Sequence, residues 1–320
     1  MTPIDSEKKP RIVVALGGNA ITRQGEEGTV EQDYANLRQS LDRIVTLVER
    51  GYEVILTHGN GPQIGNQMIR VELARGQAPD LPLDVMVADL QGGLGYMMEL
   101  VLRNRLLKAG LEIPVCALLS QVEVAADDPA FDDPSKFVGP SFSKEEIERL
   151  SAERGWTVKE DKGRGWRRVV PSPRPLKVVE ARLIKILVEA GALVIVTGGG
   201  GIPVARDDEG QLRGVEAVID KDYASAELAI DVDATHLFLL TSVETVFLDF
   251  GKPEQSPVRF LTVAEARKHL ADGQFPAGSM KPKIEAACRF VEKGGKRVLI
   301  TDIFTVLDAI DGSSGTWITA

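Results

Sequence analysis

Three short apolar runs in this chain each stop at a cluster of glycine: VVALGGNA at 13–20, EVILTHGNGPQIG at 53–65 and LVIVTGGGGIP at 193–203. The runs are β-branched, non-alternating and bounded by glycine. That marks strands buried on both faces of a parallel sheet rather than buried helices. One Gly-rich tip is ordinarily only a turn. Three of them have a further consequence, because ligands of open α/β sheets bind at the carboxyl ends of the strands. The tips therefore predict one crevice lined largely by backbone.

The rest of the chain alternates in the same sense. Leu37, Leu41, Ile44, Val45 and Val48 recur at helical spacing within 30–50, and Gly51 closes that helix. Further helices are expected over 62–75, 83–109, 177–190, 220–234, 262–273 and 283–295. Strands are expected over 114–124, 236–243 and 296–302, a hairpin over 204–217, and an edge strand in TWITA at 316–320. Repeated strand–helix order predicts an α/β three-layer αβα sandwich with a mostly parallel open sheet. Residues 125–168 interrupt the alternation for longer than an ordinary connection and are rich in charge, Pro and Gly. Phe131, Phe137, Phe142, Trp156 and Trp166 are too many aromatics for solvated disorder. This segment is expected to be a small protruding subdomain, in the position of a lid.

Charge and cysteine content exclude several classes. A net charge of −9 with no compensating basic face argues against non-specific nucleic-acid binding. No stretch is expected to span a membrane, and residues 1–10 lack the apolar core of a signal peptide. Cys116 and Cys288 both sit in apolar patterns and read as buried thiols in a reducing compartment. With three histidines and no HExxH or CxxC, a structural zinc site is not expected. The cytoplasm is the expected location.

Glycine tips at helix starts present unpaired N–H groups and a positive dipole end, which suits phosphates. No GxxxxGK[ST] occurs, so the chemistry is not that of a P-loop. Gly59-x-Gly61-xxx-Gly65 is a loose dinucleotide fingerprint, but no strand-ending acidic residue follows at the required distance. Phosphoryl transfer asks for little beyond neutralised phosphates and an aligned nucleophile. Lys221, between Asp220 and Asp222 after an apolar AVI run, and Lys283, after GSMKP, are the candidate cations. Lys281 reads as a solvated charge. His58, His236 and His269 receive no catalytic role.

Eight segments in order carry a resemblance: ALGGNA (15–20), THGNGPQIG (57–65), PSKFVGP (134–140), VVPSPRP (169–175), GGGGIPV (198–204), GVEAVIDKDYASAELA (214–229), FGKPEQ (250–255) and GSMKPKIEAA (278–287). Nearly end to end, the chain resembles the carbamate kinases of the amino-acid kinase fold family. PSKFVGP lies inside the insertion, where that family carries its protruding subdomain.

The resemblance implies ATP + carbamate ⇌ ADP + carbamoyl phosphate, with Mg2+ and without direct protein ligation of the metal, in a homodimer. It implies that Lys221 and Lys283 neutralise the transferring phosphoryl and that Asp222 orients them. Gly17, Gly18, Asn19, Gly59, Asn60, Gly61, Gly199 and Gly200 would cradle phosphoryl and carbamate, and Lys136 would reach in from the subdomain. Asp220, Ser242, Val243, Phe247 and Met280 would meet the nucleotide. Residues 1–213, with the insertion at about 125–168, would form the acceptor half, and 214–320 the nucleotide half, on one continuous sheet. The family pattern TDV-x-x-VY departs here to Thr241-Ser242-Val243-Glu244-Thr245-Val246-Phe247. Another kinase of the fold, acting on a larger carboxylate, stays open, with Arg23, Arg70 and Arg75 available in the first half. So does a metabolite sensor.

Overall fold

A computed structural model describes residues 10–23, 25–276 and 278–320. The stretch 1–9, most of the segment read against a signal peptide, lies outside the described residues.

The chain begins with β1 (Arg11–Leu16), buried throughout, and turns through Gly18–Ala20. Thr29 then caps α1 (Val30–Glu49): its hydroxyl accepts the Gln32 N–H while the Gln32 side chain accepts the Thr29 N–H. Such a reciprocal cap stabilises a helix start by about 1 kcal/mol. β2 (Glu53–His58), α2 (Gly61–Ala74) and α3 (Leu83–Lys108) follow, then β3 (Val115–Ala117) and β4 (Gln121–Val124). The insertion holds β5 (Lys136–Phe142), α4 (Lys144–Arg154), β6 (Val158–Asp161) and β7 (Gly165–Val170). Next come β8 (Pro175–Val178), α5 (Ala181–Glu189), β9 (Leu193–Ile195), β10 (Ile202–Arg206) and β11 (Leu212–Gly214). The last third runs α6 (Lys221–Asp231), β12 (His236–Thr241), β13 (Val246–Leu248), β14 (Ser256–Val258), β15 (Phe260–Thr262) and α7 (Val263–Ala271). It closes with α8 (Met280–Glu292), β16 (Arg297–Asp302), α9 (Val306–Ile310) and β17 (Thr316–Thr319).

The main sheet has the order β15-β17-β16-β12-β1-β2-β9-β3. The strands from β16 to β3 are all parallel, and β17 joins antiparallel to β16. Alternation along β1 sorts the core into two faces. Val13 and Ala15 pack with Ala224, Leu228, Ile284 and Ala287 of α6 and α8. Ile12, Val14 and Leu16 pack with Leu37, Leu41, Met98 and Val306 of α1, α3 and α9. The result is a three-layer αβα sandwich. In register, Leu16 pairs His58 and Leu56 pairs Ile195, so the three glycine tips leave the sheet at one edge.

The structure corrects four sequence expectations. Residues 114–124 are two strands in different sheets: β3 ends the main sheet, while β4 joins a four-stranded sheet ordered β11-β10-β4-β8. An apolar run does not reveal a change of sheet. The helix expected from 177 starts at Ala181, because Pro175–Val178 pairs with β4 instead. β17 is not an edge strand, since β15 pairs outside it. Finally, α3 is long and apolar enough to cross a membrane by length and composition, against the expectation of no such stretch. Half of its apolar window is buried inside the fold, where Leu94, Met98 and Leu102 pack under the sheet, so it is a core helix here.

Among the described residues of the insertion, β5, β7 and β6 form an antiparallel sheet of their own. It docks on α2. A Cβ on Gly65 would lie 3.4 Å from Gly139 Cα, Val138 packs with Ile64 and Met68, and Arg154 Nη2 pairs Glu72 at 2.6 Å. Arg167 stacks over Phe137 and Arg168 over Trp156, so these aromatics carry cations on their faces instead of forming a deep core.

Candidate active site

The three tips converge. A Cβ on Gly59 would lie 3.4 Å from Lys221 Cδ and 3.5 Å from Gly18 N, and one on Gly17 would lie 2.9 Å from Leu240 O. A Cβ on Gly199 would overlap the Asn60 carboxamide, and one on Gly198 would overlap the His58 ring. A side chain at Gly198 or Gly199 would collide with the second tip and one at Gly17 with the β12 backbone, while one at Gly59 would just touch its neighbours. Asn60 is 4% exposed, and its Nδ2 is a buried donor with no partner in the protein. Such a group is costly unless a ligand satisfies it. Asn60 does not cap α2, nor does Ser279 cap α8, whereas Asp220 caps α6 by accepting the Asp222 N–H at 3.0 Å. The start of α2 therefore keeps free N–H groups beside the tips.

Lys283 is buried and Lys221 largely so, and the two meet on one carboxylate. Lys221 Nζ donates to Asp222 Oδ1 at 2.6 Å, and Lys283 Nζ donates to Asp222 Oδ2 at 2.9 Å. Burial pushes the Asp222 carboxyl up, but the two lysines outweigh it and hold it below the usual carboxylate range. Burial pushes the Lys221 ammonium down, opposed by Asp222 and reinforced by Lys283. The site carries two cations on one anion and so has capacity for a further negative charge. Supporting bonds fix it. Ser225 Oγ donates to Lys221 O at 2.6 Å and receives the Thr57 hydroxyl at 2.6 Å, tying α6 to β2. Tyr223 Oη donates to Glu285 Oε2 at 2.6 Å, tying α6 to α8. Lys281 is half exposed, on the rim, as expected of a solvated charge.

Lys136 reaches across from the subdomain to Asp220 Oδ2 at 2.8 Å. Asp220 is thus engaged twice, as helix cap and as ion-pair partner. It is not among the residues lining the neighbouring cavity, where the resemblance grouped it. That cavity, of about 220 Å³, brings together Ser242, Val243, Phe247 and Met280, as expected, with Thr241, Thr245, Phe250, Phe275, Pro276 and Ser279. Phe247 and Phe250 sit with ring centroids 6.2 Å apart. Met280 and Lys283 lie one turn apart on α8, so that helix joins the apolar cavity to the lysine cluster. Asn19 is exposed and lines a separate cavity with Gly17, Arg23, Ser242, Asp302 and Phe304.

His58 is wholly buried. Its Nδ1 lies 3.1 Å from the Gly59 carbonyl, which can only accept, so the hydrogen is on Nδ1. Burial, with Lys221 adding, lowers its pKa to about 4 despite the Gly59 bond, so the ring is neutral. Of the arginines that kept a larger acceptor open, Arg75 is spent on Glu72 and Asp80, and Arg70 is exposed. Sequence reasoning missed Phe250, Phe275, Ser225 and Thr57. Thr57, Ser225 and Phe250 stand in the THGNGPQIG, GVEAVIDKDYASAELA and FGKPEQ segments and could have been found there; Phe275 carries no local signal.

Fold and site together are those of a phosphotransferase built on an open α/β sheet. Residues 10–302 match the amino acid kinase family, and the chain belongs to it. Among its relatives, the carbamate kinase of Pyrococcus furiosus is 46% identical over 96% of this chain and 98% of its own length. The carbamate kinase-like protein YqeA of Escherichia coli is 44% identical over 96% and 98%. The structure of the carbamate kinase from Giardia lamblia bound to AMP-PNP superposes with a TM-score of 0.91, at 38% identity, covering 97% of this chain and 98% of that one.

Proposed function

We infer that this chain is a carbamate kinase, transferring a phosphoryl group reversibly between ATP and carbamate. The observation that carries the reading is the buried Asp222 carboxylate bridging two lysines beside three converging glycine tips. In the ATP-consuming direction a carbamate oxygen forms a bond to the γ-phosphorus. The bond from that phosphorus to the β–γ bridging oxygen breaks, and its electron pair leaves on ADP. The attacking oxygen is already anionic, so no general base is needed, and neutral His58 is not asked to act as one. The barrier is largely repulsion between anions, which Lys221, Lys283 and the backbone N–H groups of the tips reduce. Asp222 holds both ammonium groups in place and favours the charged state of Lys221. Asn60 Nδ2 has its donor free for a phosphoryl or carbamate oxygen. Lys136 is the subdomain's contribution.

The cavity around Ser242, Phe247 and Met280 suits a nucleobase and ribose and supports a nucleotide half at 214–320 beside an acceptor half at 1–213. Ser242 and Phe247 leave that cavity without the carboxylate and phenol of the family pattern. Mg2+ is part of the proposal. Both Asp222 oxygens face lysines and both Asp220 oxygens are bonded, so these residues fit a magnesium ion carried on the nucleotide phosphates and met through water. When bound, it supplies charge neutralisation on the phosphates. A homodimer is also proposed, supported by the exposed apolar residues Tyr96, Leu100 and Leu119 beside edge strand β3. Light scattering at twice the 34.7 kDa chain mass tests it. We place the protein in the cytoplasm on the strength of its two free cysteines.

The test is ATP formation from ADP and carbamoyl phosphate by purified protein. Protein that is folded and binds ADP but forms no ATP overturns the reading in favour of a metabolite sensor.

A further inference from the structure

Thr197 stands directly before the Gly198–Gly201 run with φ 46° and ψ 36°, in the left-handed region. Among the described residues, the other non-glycine positions with positive φ are Asp233 and Asp249. Aspartate tolerates that conformation, whereas a β-branched residue in it is strained and persists only when its surroundings hold it there. Thr197 is wholly buried with its Oγ1 unpartnered in the protein; its carbonyl accepts the Gly200 N–H at 3.0 Å within the run, and one residue outside the run holds its N–H. Ser120 Oγ accepts the Thr197 N–H at 2.6 Å. At the other end of the run, the Ile202 N–H donates to Ser120 O at 2.9 Å. Both flanks of the glycine run are therefore bonded to a single buried serine.

Ser120 is itself clasped. Gln91 of α3 accepts the Ser120 N–H on Oε1 at 2.9 Å and donates from Nε2 to Ser120 O at 3.1 Å. The run so bracketed is the tip that presses Gly198 on His58, Gly199 on Asn60 and Gly200 on the Ile219 carbonyl. Ile219 immediately precedes Asp220 and Lys221. Moving the run thus moves the floor under Asn60 and the chain leading into the lysine cluster.

We propose that Ser120 is a positioning residue for phosphoryl transfer, acting through the backbone of Thr197 and Ile202 to hold the third glycine tip against Asn60. The role rests on the carbamate kinase reading. Ser120 touches no reacting group, and the Thr197 side chain is not needed for it. Loss of the Ser120 hydroxyl frees the Thr197 N–H and lets a strained residue relax, which displaces the acceptor side of the site and leaves the nucleotide cavity alone.

The experiment measures kcat, KM for carbamoyl phosphate and KM for ADP in ATP formation, with melting temperature as the folding control. Ser120→Ala raises the KM for carbamoyl phosphate by at least tenfold while the KM for ADP stays within twofold. Ser120→Cys, which keeps the volume and replaces oxygen with weakly accepting sulfur, shows the same split and serves if the alanine variant does not fold. Thr197→Gly stays within threefold of wild type, because glycine adopts the left-handed conformation unaided. Ser120→Ala combined with Thr197→Gly recovers most of the lost carbamoyl phosphate affinity. An unchanged KM in folded Ser120→Ala, equal losses for both substrates, or a double variant no better than Ser120→Ala overturns the proposal. Wild-type protein that forms no ATP overturns the carbamate kinase reading and this role with it.

Discussion

Asp222 and Lys283, 61 positions apart in the chain, meet at 2.9 Å with both side chains buried, and the same carboxylate holds Lys221 through its other oxygen. The three groups carry one net positive charge away from bulk water. That imbalance costs desolvation in the free protein and is relieved when an anionic phosphoryl arrives. Four consequences can be measured.

Lys221→Met and Lys283→Met, which keep the aliphatic stem, each lower kcat on the order of 100- to 1,000-fold, as expected for loss of a preorganised donor. Each leaves one lysine on one carboxylate, a balanced pair, so folding stability changes by no more than about 1 kcal/mol. The double variant leaves Asp222 buried alone and loses about 3–5 kcal/mol. In kcat the two are non-additive, since they clamp one group. Near-wild-type turnover in either folded single variant removes that lysine from the site.

Asp222→Asn lowers kcat while ADP binding stays nearly intact, with stability reduced by a few kcal/mol because two buried ammonium groups lose their anion. Burial already lowers the Lys221 pKa, and Asp222 opposes that. The alkaline limb of kcat therefore falls below the usual lysine range in wild type and shifts lower still in Asp222→Asn. A variant that loses ADP binding yet keeps turnover, or an alkaline limb indifferent to the substitution, refutes the orienting role.

Acid stability should fall in two windows. His58 has a folded pKa lowered from 6.5 to about 4, so the unfolded chain binds more protons between those values. Its contribution is present in full above about 6.5 and is lost as pH falls toward 4, up to about 3 kcal/mol. Asp222 has a depressed folded pKa, so its contribution is present above about 4 and is lost below it. Urea midpoints across pH 3–8 trace both windows, and NMR titration of the His58 ring shows no protonation above pH 5.5. A ring midpoint near 6.5 would contradict the burial argument.

The subdomain is expected to close on substrate. Its links to the body include Lys136 to Asp220 and Arg154 to Glu72, both ion pairs that can open and re-form. Amide exchange over 125–168 slows when ADP and carbamoyl phosphate bind. Equal exchange with and without ligand leaves a static appendage.

Much of this molecule could be read along the chain. Unbroken apolar runs such as Val13–Leu16 declared a parallel sheet covered on both faces, because side chains alternate and both alternants were apolar. Glycine at the ends of those runs located the crevice, since only backbone can pass where three tips crowd together. Eight ordered motifs brought in the lysines, Asp222 and Met280, and the family pattern at 241–247 brought in Ser242, Val243 and Phe247. Other features depended on contacts between distant positions, which local pattern does not encode. The run 114–124 looked like one strand until Gln91 and the flanks of the third glycine tip held Ser120 where β3 gives way to β4. Lys221 and Lys283 were legible as candidate cations at helix starts, but only the packing of α6 against α8 brings both onto one carboxylate. Thr197 carries no local mark of strain. Its left-handed backbone is held by a serine from the β3–β4 connection that accepts its N–H, a hydrogen bond that forms only when the sheet is assembled.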